Sequence, residues 1–299
     1  MTANKFNGVW TALITPFSPD GEIDWPSYEA LLKRQELGGV AGVVVSGTTG
    51  ESPTLAVQEK LALIRKARAT LSPAVRVMAG TGGNNTNQSV ELSRLAVDAG
   101  ADSLLIVTPP YNKPSNNGLK LHFQSIADAV NVPLCLYHVP GRTAQLLSHK
   151  QISMLCEIPS IKAVKEASGD VALFSRALNC SQASFLTGDD PTYLASLAVG
   201  GIGVISVVSN VFPEAMVKMT KDFIGGNIQS ALEMHNILLP MIDILFCEAN
   251  PVPTKAAFSI LGYCGTTVRA PLAVLEEQNF EAVKSVLKTT QEKLEKFNG

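Results

Sequence analysis

The chain has 299 residues, and its 24 lysines and arginines against 26 aspartates and glutamates give a formal charge of −2. With no long basic run, that balance excludes electrostatic capture of nucleic acid, and no apolar run approaches the eighteen or so residues that span a bilayer. Segment 1–20 lacks a basic stretch followed by an apolar core, and the five cysteines (Cys135, Cys156, Cys180, Cys247, Cys264) show no CxxC spacing. The expectation is a cytoplasmic protein with reduced thiols, no metal, no cofactor and a small-molecule partner.

Short apolar runs bounded by Gly, Pro or Asp occupy residues 9–15, 40–46, 75–81, 103–108, 133–138, 161–165, 184–187 and 203–207. Between them, segments such as 25–37, 57–71, 88–99, 119–129 and 148–155 carry helical periodicity. Runs that are apolar at nearly every position are buried on both faces, as parallel strands under helices must be. Eight such units over roughly 225 residues match an α/β fold, the (β/α)8 TIM barrel, in count and length. A doubly wound open sheet is the alternative, but no GxGxxG follows the first run, where Pro16-Phe17-Ser18-Pro19 stands instead. After the eighth run, 213–225, 228–246, 253–261 and 280–297 read as helices with no strand between them. The predicted organisation is a catalytic barrel over 1–226 and a small C-terminal helical appendage over 227–299, parted at Gly225-Gly226.

Barrel active sites are built at the C-terminal ends of the strands, and the conspicuous polar residues fall there. They are Thr48 and Thr49 after the second run, Asn84 after the third, Tyr111 after the fourth, Tyr137 and Arg142 at the fifth, Lys165 at the sixth, Asp189 after the seventh and Ser206 in the eighth. Lys165 is the most telling. An ammonium withdrawn from water costs several kcal/mol unless it is paired or gives up its proton, and the free amine is then a nucleophile for imine chemistry. Taken alone, a lysine at a strand end is more often a solvated residue; convergence on one mouth is what favours function. The turn Ser46-Gly47-Thr48-Thr49-Gly50-Glu51-Ser52 reads as a cradle for a carboxylate, and also as an ordinary loop capped by Ser52 or Thr54 ahead of Pro53. Tyr137, on the strand beside Lys165, offers a phenol as proton donor and acceptor, against the plainer reading of a packed rim aromatic. Arg142 offers a planar fork for a carboxylate. Glu51, Glu166, Asp189 and Asp190 lie near the mouth, but the spacings of zinc or magnesium ligands are missing.

Together, Gly47-Thr48-Thr49-Gly50-Glu51, Tyr137-x-Val139-Pro140-x-Arg142-Thr143, Lys165-Glu166-Ala167, Gly188-Asp189-Asp190, Gly203-Val204-Ile205-Ser206 and Asn250-Pro251-x-Pro253-x-Lys255 resemble the dihydrodipicolinate synthase family. This family lies within the superfamily of N-acetylneuraminate lyase and other class I pyruvate aldolases. The likeness runs from about Gly8 to at least Pro271. It implies that pyruvate forms an imine on Lys165, becomes an enamine and attacks L-aspartate 4-semialdehyde, giving 4-hydroxy-tetrahydrodipicolinate for diaminopimelate and lysine biosynthesis. By the same likeness Tyr137 is the general acid and base, and Thr48 and a neighbouring subunit's copy of Tyr111 complete its proton relay. Thr49 and the backbone at Ile205 hold pyruvate, Arg142 holds the semialdehyde carboxylate, Gly188 belongs to the substrate-binding residues, and the assembly is a homotetramer of two tight dimers.

Two departures from the family pattern stand out. His138 occupies a position where most members have Asn, and alternation along a strand turns it away from the mouth if Tyr137 points in. Members inhibited by L-lysine bind it with a His, a Glu and an extra Tyr where this chain has Val57, Gln88 and Pro110, and Lys60 replaces a second His; only Ser52 and Asn84 remain. With the carboxylate gone and a cation added, weak inhibition or none is expected. Rival readings are another imine-forming lyase, such as N-acetylneuraminate lyase or a 2-keto-3-deoxy sugar-acid aldolase, and a silent barrel that only binds a small acid.

Overall fold

A computed structural model describes residues 6–298. The reading of segment 1–20 therefore falls partly outside the described residues, since 1–5 are not among them. Eight parallel strands close on themselves in chain order: β1 (Gly8–Ala12), β2 (Gly42–Val45), β3 (Arg76–Gly80), β4 (Ser103–Val107), β5 (Leu134–His138), β6 (Ile161–Glu166), β7 (Ser184–Thr187) and β8 (Gly203–Ser206). β1 pairs with both β2 and β8, which closes the barrel. Each strand lies inside or within a residue of an expected run, because burial on both faces writes itself into sequence as unbroken apolar stretches.

Period-two alternation divides the strand residues between two apolar layers. Trp10, Ala12, Val44, Met78, Leu105, Cys135, Tyr137, Ala163, Leu186 and Ile205 fill the inside of the barrel, while residues such as Val9, Val43, Val45, Val77, Leu104, Leu136 and Val164 meet the surrounding helices. Trp10 can plug the interior because its register partner is Gly42: a Cβ there would lie 2.4 Å from the indole. The helices begin where short polar side chains can satisfy their first amides. Asp24 accepts from Ser27 N, Asn85 from Gln88 N, Ser148 from Gln151 N, and Asp170 from Ala172 N and Leu173 N. Two helices absent from the sequence reading, Val171–Asn179 and Tyr193–Ala198, cover β7 and β8.

Beyond Gly226, which adopts a positive φ of 83°, the chain runs through helices Ile228–Ile244, Val252–Ile260 and Glu277–Asn298. The first two pack against the third, and the first also packs on the helix Pro213–Ile224 that follows β8. No helix among the described residues is long and apolar enough to cross a membrane.

Candidate active site

Lys165 and Tyr137 are direct register partners on β6 and β5, so their side chains leave the sheet side by side into the barrel interior. Lys165 is 94% buried, at 6% exposure, and its Nζ lies 4.2 Å from the centroid of the Tyr137 ring. No carboxylate lies within ion-pairing reach of it among the described residues. The nearby Cys135 gives no negative charge either, since burial pushes its thiol up to about 12. Next to Lys165, on the neighbouring strand end, Gly188 leaves the space its side chain crosses: a Cβ at 188 would stand 2.4 Å from Lys165 Cε and 3.0 Å from Cγ.

Above this pair is a cavity of about 130 Å³, lined by Thr48, Thr49, Tyr137, Arg142, Lys165 and Asn250 together with Gly188, Asp189 and Val207. Its wall is the turn after β2. Ser46 and Glu51 take positive φ values of 55° and 56°, and between them Gly50 N and Glu51 N bond to the carbonyls of Gly47 and Thr48. The loop is not closed by a Ser52 or Thr54 cap; the Thr54 hydroxyl instead donates back to Glu51 O at 3.0 Å. Arg142 stands on the single helical turn Pro140–Thr143, exposed, where it lines this cavity and a larger one of about 590 Å³ beside it.

Several residues expected at the mouth are elsewhere. Ser206 pairs with Thr11 in register and faces the helices, where its Oγ accepts from Ser209 N at 2.9 Å; alternation puts Ile205 inward, fully buried below the cavity that Val207 lines. Tyr111 is 88% exposed on a loop with φ 73° and lines neither of these two cavities. Asn84 lines only the larger cavity.

Of the four acidic residues near the mouth, Asp189 lines the cavity and the other three face protein partners. Glu166 accepts from Ser168 N and pairs with His138 Nδ1 at 3.0 Å. His138 is fully buried on the outer face, and its Nε2 accepts from Leu147 N at 3.0 Å, so the ring proton sits on Nδ1 and is donated to Glu166. Asp190 Oδ2 accepts from the amides of Val207 and Val208, and burial pushes its carboxyl above the usual range. Glu51 ion-pairs with Lys255 and accepts from Arg269 N.

A buried lysine against a phenol, under a turn of hydroxyls and beside a free guanidinium, has the groups that imine formation with a small keto acid requires. A family model described as the dihydrodipicolinate synthetase family matches residues 5–290. The chain belongs to that family. A 4-hydroxy-tetrahydrodipicolinate synthase of Moorella thermoacetica is 43% identical over 288 residues, 96% of this chain and 99% of its own. Among solved structures, the 4-hydroxy-tetrahydrodipicolinate synthase of Methylacidiphilum fumariolicum SolV superposes with a TM-score of 0.95 at 37% identity, covering 98% of both chains. The chloride-inhibited dihydrodipicolinate synthase of Acinetobacter baumannii complexed with pyruvate superposes with a TM-score of 0.93 at 38% identity, over 95% of this chain and 99% of its own.

Within this dihydrodipicolinate synthetase fold, the residues to which sequence reasoning gave no role come from the C-terminal region, at and just before the helix Val252–Ile260. Asn250 donates from Nδ2 to Thr49 Oγ1 at 2.9 Å, and Lys255, fully buried, reaches Glu51 Oε1 at 2.5 Å and Thr267 O at 2.8 Å. A lysine inside the apolar stretch Val252–Ile260 was the available signal, since burying it unpaired is prohibitive.

Proposed function

We propose that this protein condenses pyruvate with L-aspartate 4-semialdehyde to 4-hydroxy-tetrahydrodipicolinate, acting as a class I aldolase-type lyase in lysine and diaminopimelate biosynthesis. The observation that carries the reading is Lys165: buried, without a carboxylate partner and laid against Tyr137 under the Thr48–Thr49 turn. The amine attacks C2 of pyruvate, and the carbonyl oxygen departs as water after taking up two protons. Loss of a methyl proton from the protonated imine gives an enamine, whose terminal carbon bonds to the aldehyde carbon while the aldehyde oxygen gains a proton. The substrate's own amine then adds to the imine carbon, closing the ring and expelling the Lys165 amine.

Tyr137 moves these protons, with Thr48 and a neighbouring subunit's Tyr111 completing the relay. Thr49 and the backbone at Ile205 hold the pyruvate carboxylate, Arg142 holds that of the semialdehyde, and Gly188 leaves the room in which Lys165 works. No cofactor takes part, because the protonated imine is itself the electron sink. The exposure of Tyr111 on a strained loop supports an assembly of at least a dimer, and we assign a homotetramer of two dimers in the cytoplasm. Response to L-lysine is weak or absent. The larger cavity carries Lys60, whose ammonium burial holds below its usual range, together with Gln88 and Pro110, and among the residues that line it no carboxylate meets an incoming cation.

Borohydride with pyruvate tests the chemistry: a stable mass added at Lys165 is expected, and an unmodified lysine refutes it. A panel of acceptor aldehydes tests the substrate, with turnover of sugar aldehydes in preference to aspartate semialdehyde overturning the assignment. Half-inhibition at submillimolar L-lysine would refute the regulatory reading.

A further inference from the structure

We infer that Asn250 is a positioning residue that makes the Thr49 hydroxyl an obligate proton donor toward the substrate carboxylate, a reading that rests on the proposed role of Thr49 in holding pyruvate. A threonine hydroxyl has one proton and two lone pairs. Asn250 Nδ2 donates to Thr49 Oγ1 at 2.9 Å, and the hydroxyl gives its own proton to no protein acceptor among the described residues. That proton is left for whatever enters the cavity, which both residues line. The placement of the amide is consistent along the chain: the Thr254 hydroxyl donates to Asn250 Oδ1 at 3.2 Å, and the NH₂ group faces Thr49. Thr49, Asn250 and Thr254 are all buried, so the polarity of the chain Thr254 to Asn250 to Thr49 is set by protein and not by water.

Five residues after Asn250, the same segment grips the turn a second time. Lys255 meets Glu51 at 2.5 Å with its Nζ 4.0 Å from the Phe17 ring, and Arg269 N holds the other carboxylate oxygen at 2.9 Å. Glu51 needs such anchoring because its φ of 56° lies in the left-handed region, unfavourable for a residue with a Cβ. The ion pair fixes where the turn sits, and Asn250 fixes which way its hydroxyl points. In this arrangement region 227–299 reaches into the chemistry of region 1–226 without supplying a reacting group.

The test uses the full-length enzyme with pyruvate as variable substrate. Asn250→Ala is expected to raise the pyruvate KM about tenfold, with kcat and the semialdehyde KM changed by less than about threefold. Asn250→Asp is the decisive variant. Its carboxylate takes the Thr49 proton and repels the anionic substrate, so it raises the pyruvate KM about tenfold beyond the alanine variant although its shape is closer to asparagine. A purely structural role predicts the reverse order, and an aspartate variant no worse than alanine overturns the inference. Thr49→Val combined with Asn250→Ala should raise KM no more than Thr49→Val alone; additive effects overturn the inference as well. If Thr49→Val leaves the pyruvate KM unchanged while borohydride still marks Lys165, the carboxylate site itself is misplaced and the inference falls with it. Thr254→Val, which releases the amide to turn over, gives a smaller rise in pyruvate KM than Asn250→Ala, with melting temperature followed by circular dichroism for every variant.

Discussion

Replacing Gly188 by alanine separates the fold from the chemistry. The added Cβ would lie 2.4 Å from Lys165 Cε, 3.0 Å from its Cγ and 2.8 Å from Ala167 Cβ, whereas carbons rest at about 3.5–4.0 Å. Lys165 Cε must therefore move by roughly 1 Å or more to restore ordinary contact, and the Tyr137 ring on its other side limits where it can go. Overpacking of this kind costs about 1–3 kcal/mol: the Lys165 side chain can swing aside, while Ala167 Cβ gives way only with a small shift of its backbone, which a barrel of eight paired strands absorbs. A reacting group misplaced by about 1 Å loses on the order of a hundredfold in rate. The assay is the rate of borohydride-trapped adduct at saturating pyruvate, beside steady-state kcat and a thermal melt. Folded Gly188→Ala protein that forms its adduct and turns over at wild-type rates would show that the space above Gly188 is not what positions Lys165.

Other outcomes follow from the same geometry. Tyr111→Phe should slow turnover at least tenfold while keeping part of the imine formation; unchanged turnover removes Tyr111 from the relay. His138→Ala strands the Glu166 carboxylate and Leu147 N in the interior and should cost about 2–4 kcal/mol in urea unfolding, whereas His138→Asn should lose about 1.5 kcal/mol or less; equal losses would contradict the hydrogen-bond account. His122 is buried against Phe123 with Thr86 as its partner, and burial holds its ring down at about 4 from an ordinary 6.5. Below 6.5 the unfolded chain therefore binds a proton that the folded chain refuses, so stability falls as pH drops from 6.5 to 4, by on the order of 2–3 kcal/mol. His122→Gln should flatten that part of the stability curve measured by denaturant titration, and an unaltered slope would refute the assignment.

The barrel was legible because its strands are sealed on both faces, and so was Lys165, because a charge at the end of an apolar run is costly wherever it lies. Other features were less visible. Ser206 illustrates an avoidable misreading, since alternation from an inward Ile205 already turns it toward Thr11 and the helices. The short helices Val171–Asn179 and Tyr193–Ala198 have too few turns to show a period. His138 was assigned outward correctly, but its bonds to Glu166 and Leu147 depend on spacing that only the folded sheet provides. Hardest to read were Thr49 with Asn250 and Glu51 with Lys255: partners some two hundred residues apart leave no local pattern. Both halves of each pair sat inside recognisable motifs, with nothing in either motif to say that they meet.

The reach of those pairs along the chain has a consequence for the order in which the protein is made. A ribosome delivers the Thr48–Thr49 turn early and Lys165 midway, while Asn250 and Lys255 arrive only after β8 has been synthesised. Until then Glu51 has no counter-ion and no reason to hold its left-handed backbone, and the hydroxyl of Thr49 has no fixed direction. A nascent barrel can thus be closed yet unfinished, with Lys165 in place on β6 and the turn after β2 not yet anchored by Asn250 and Lys255.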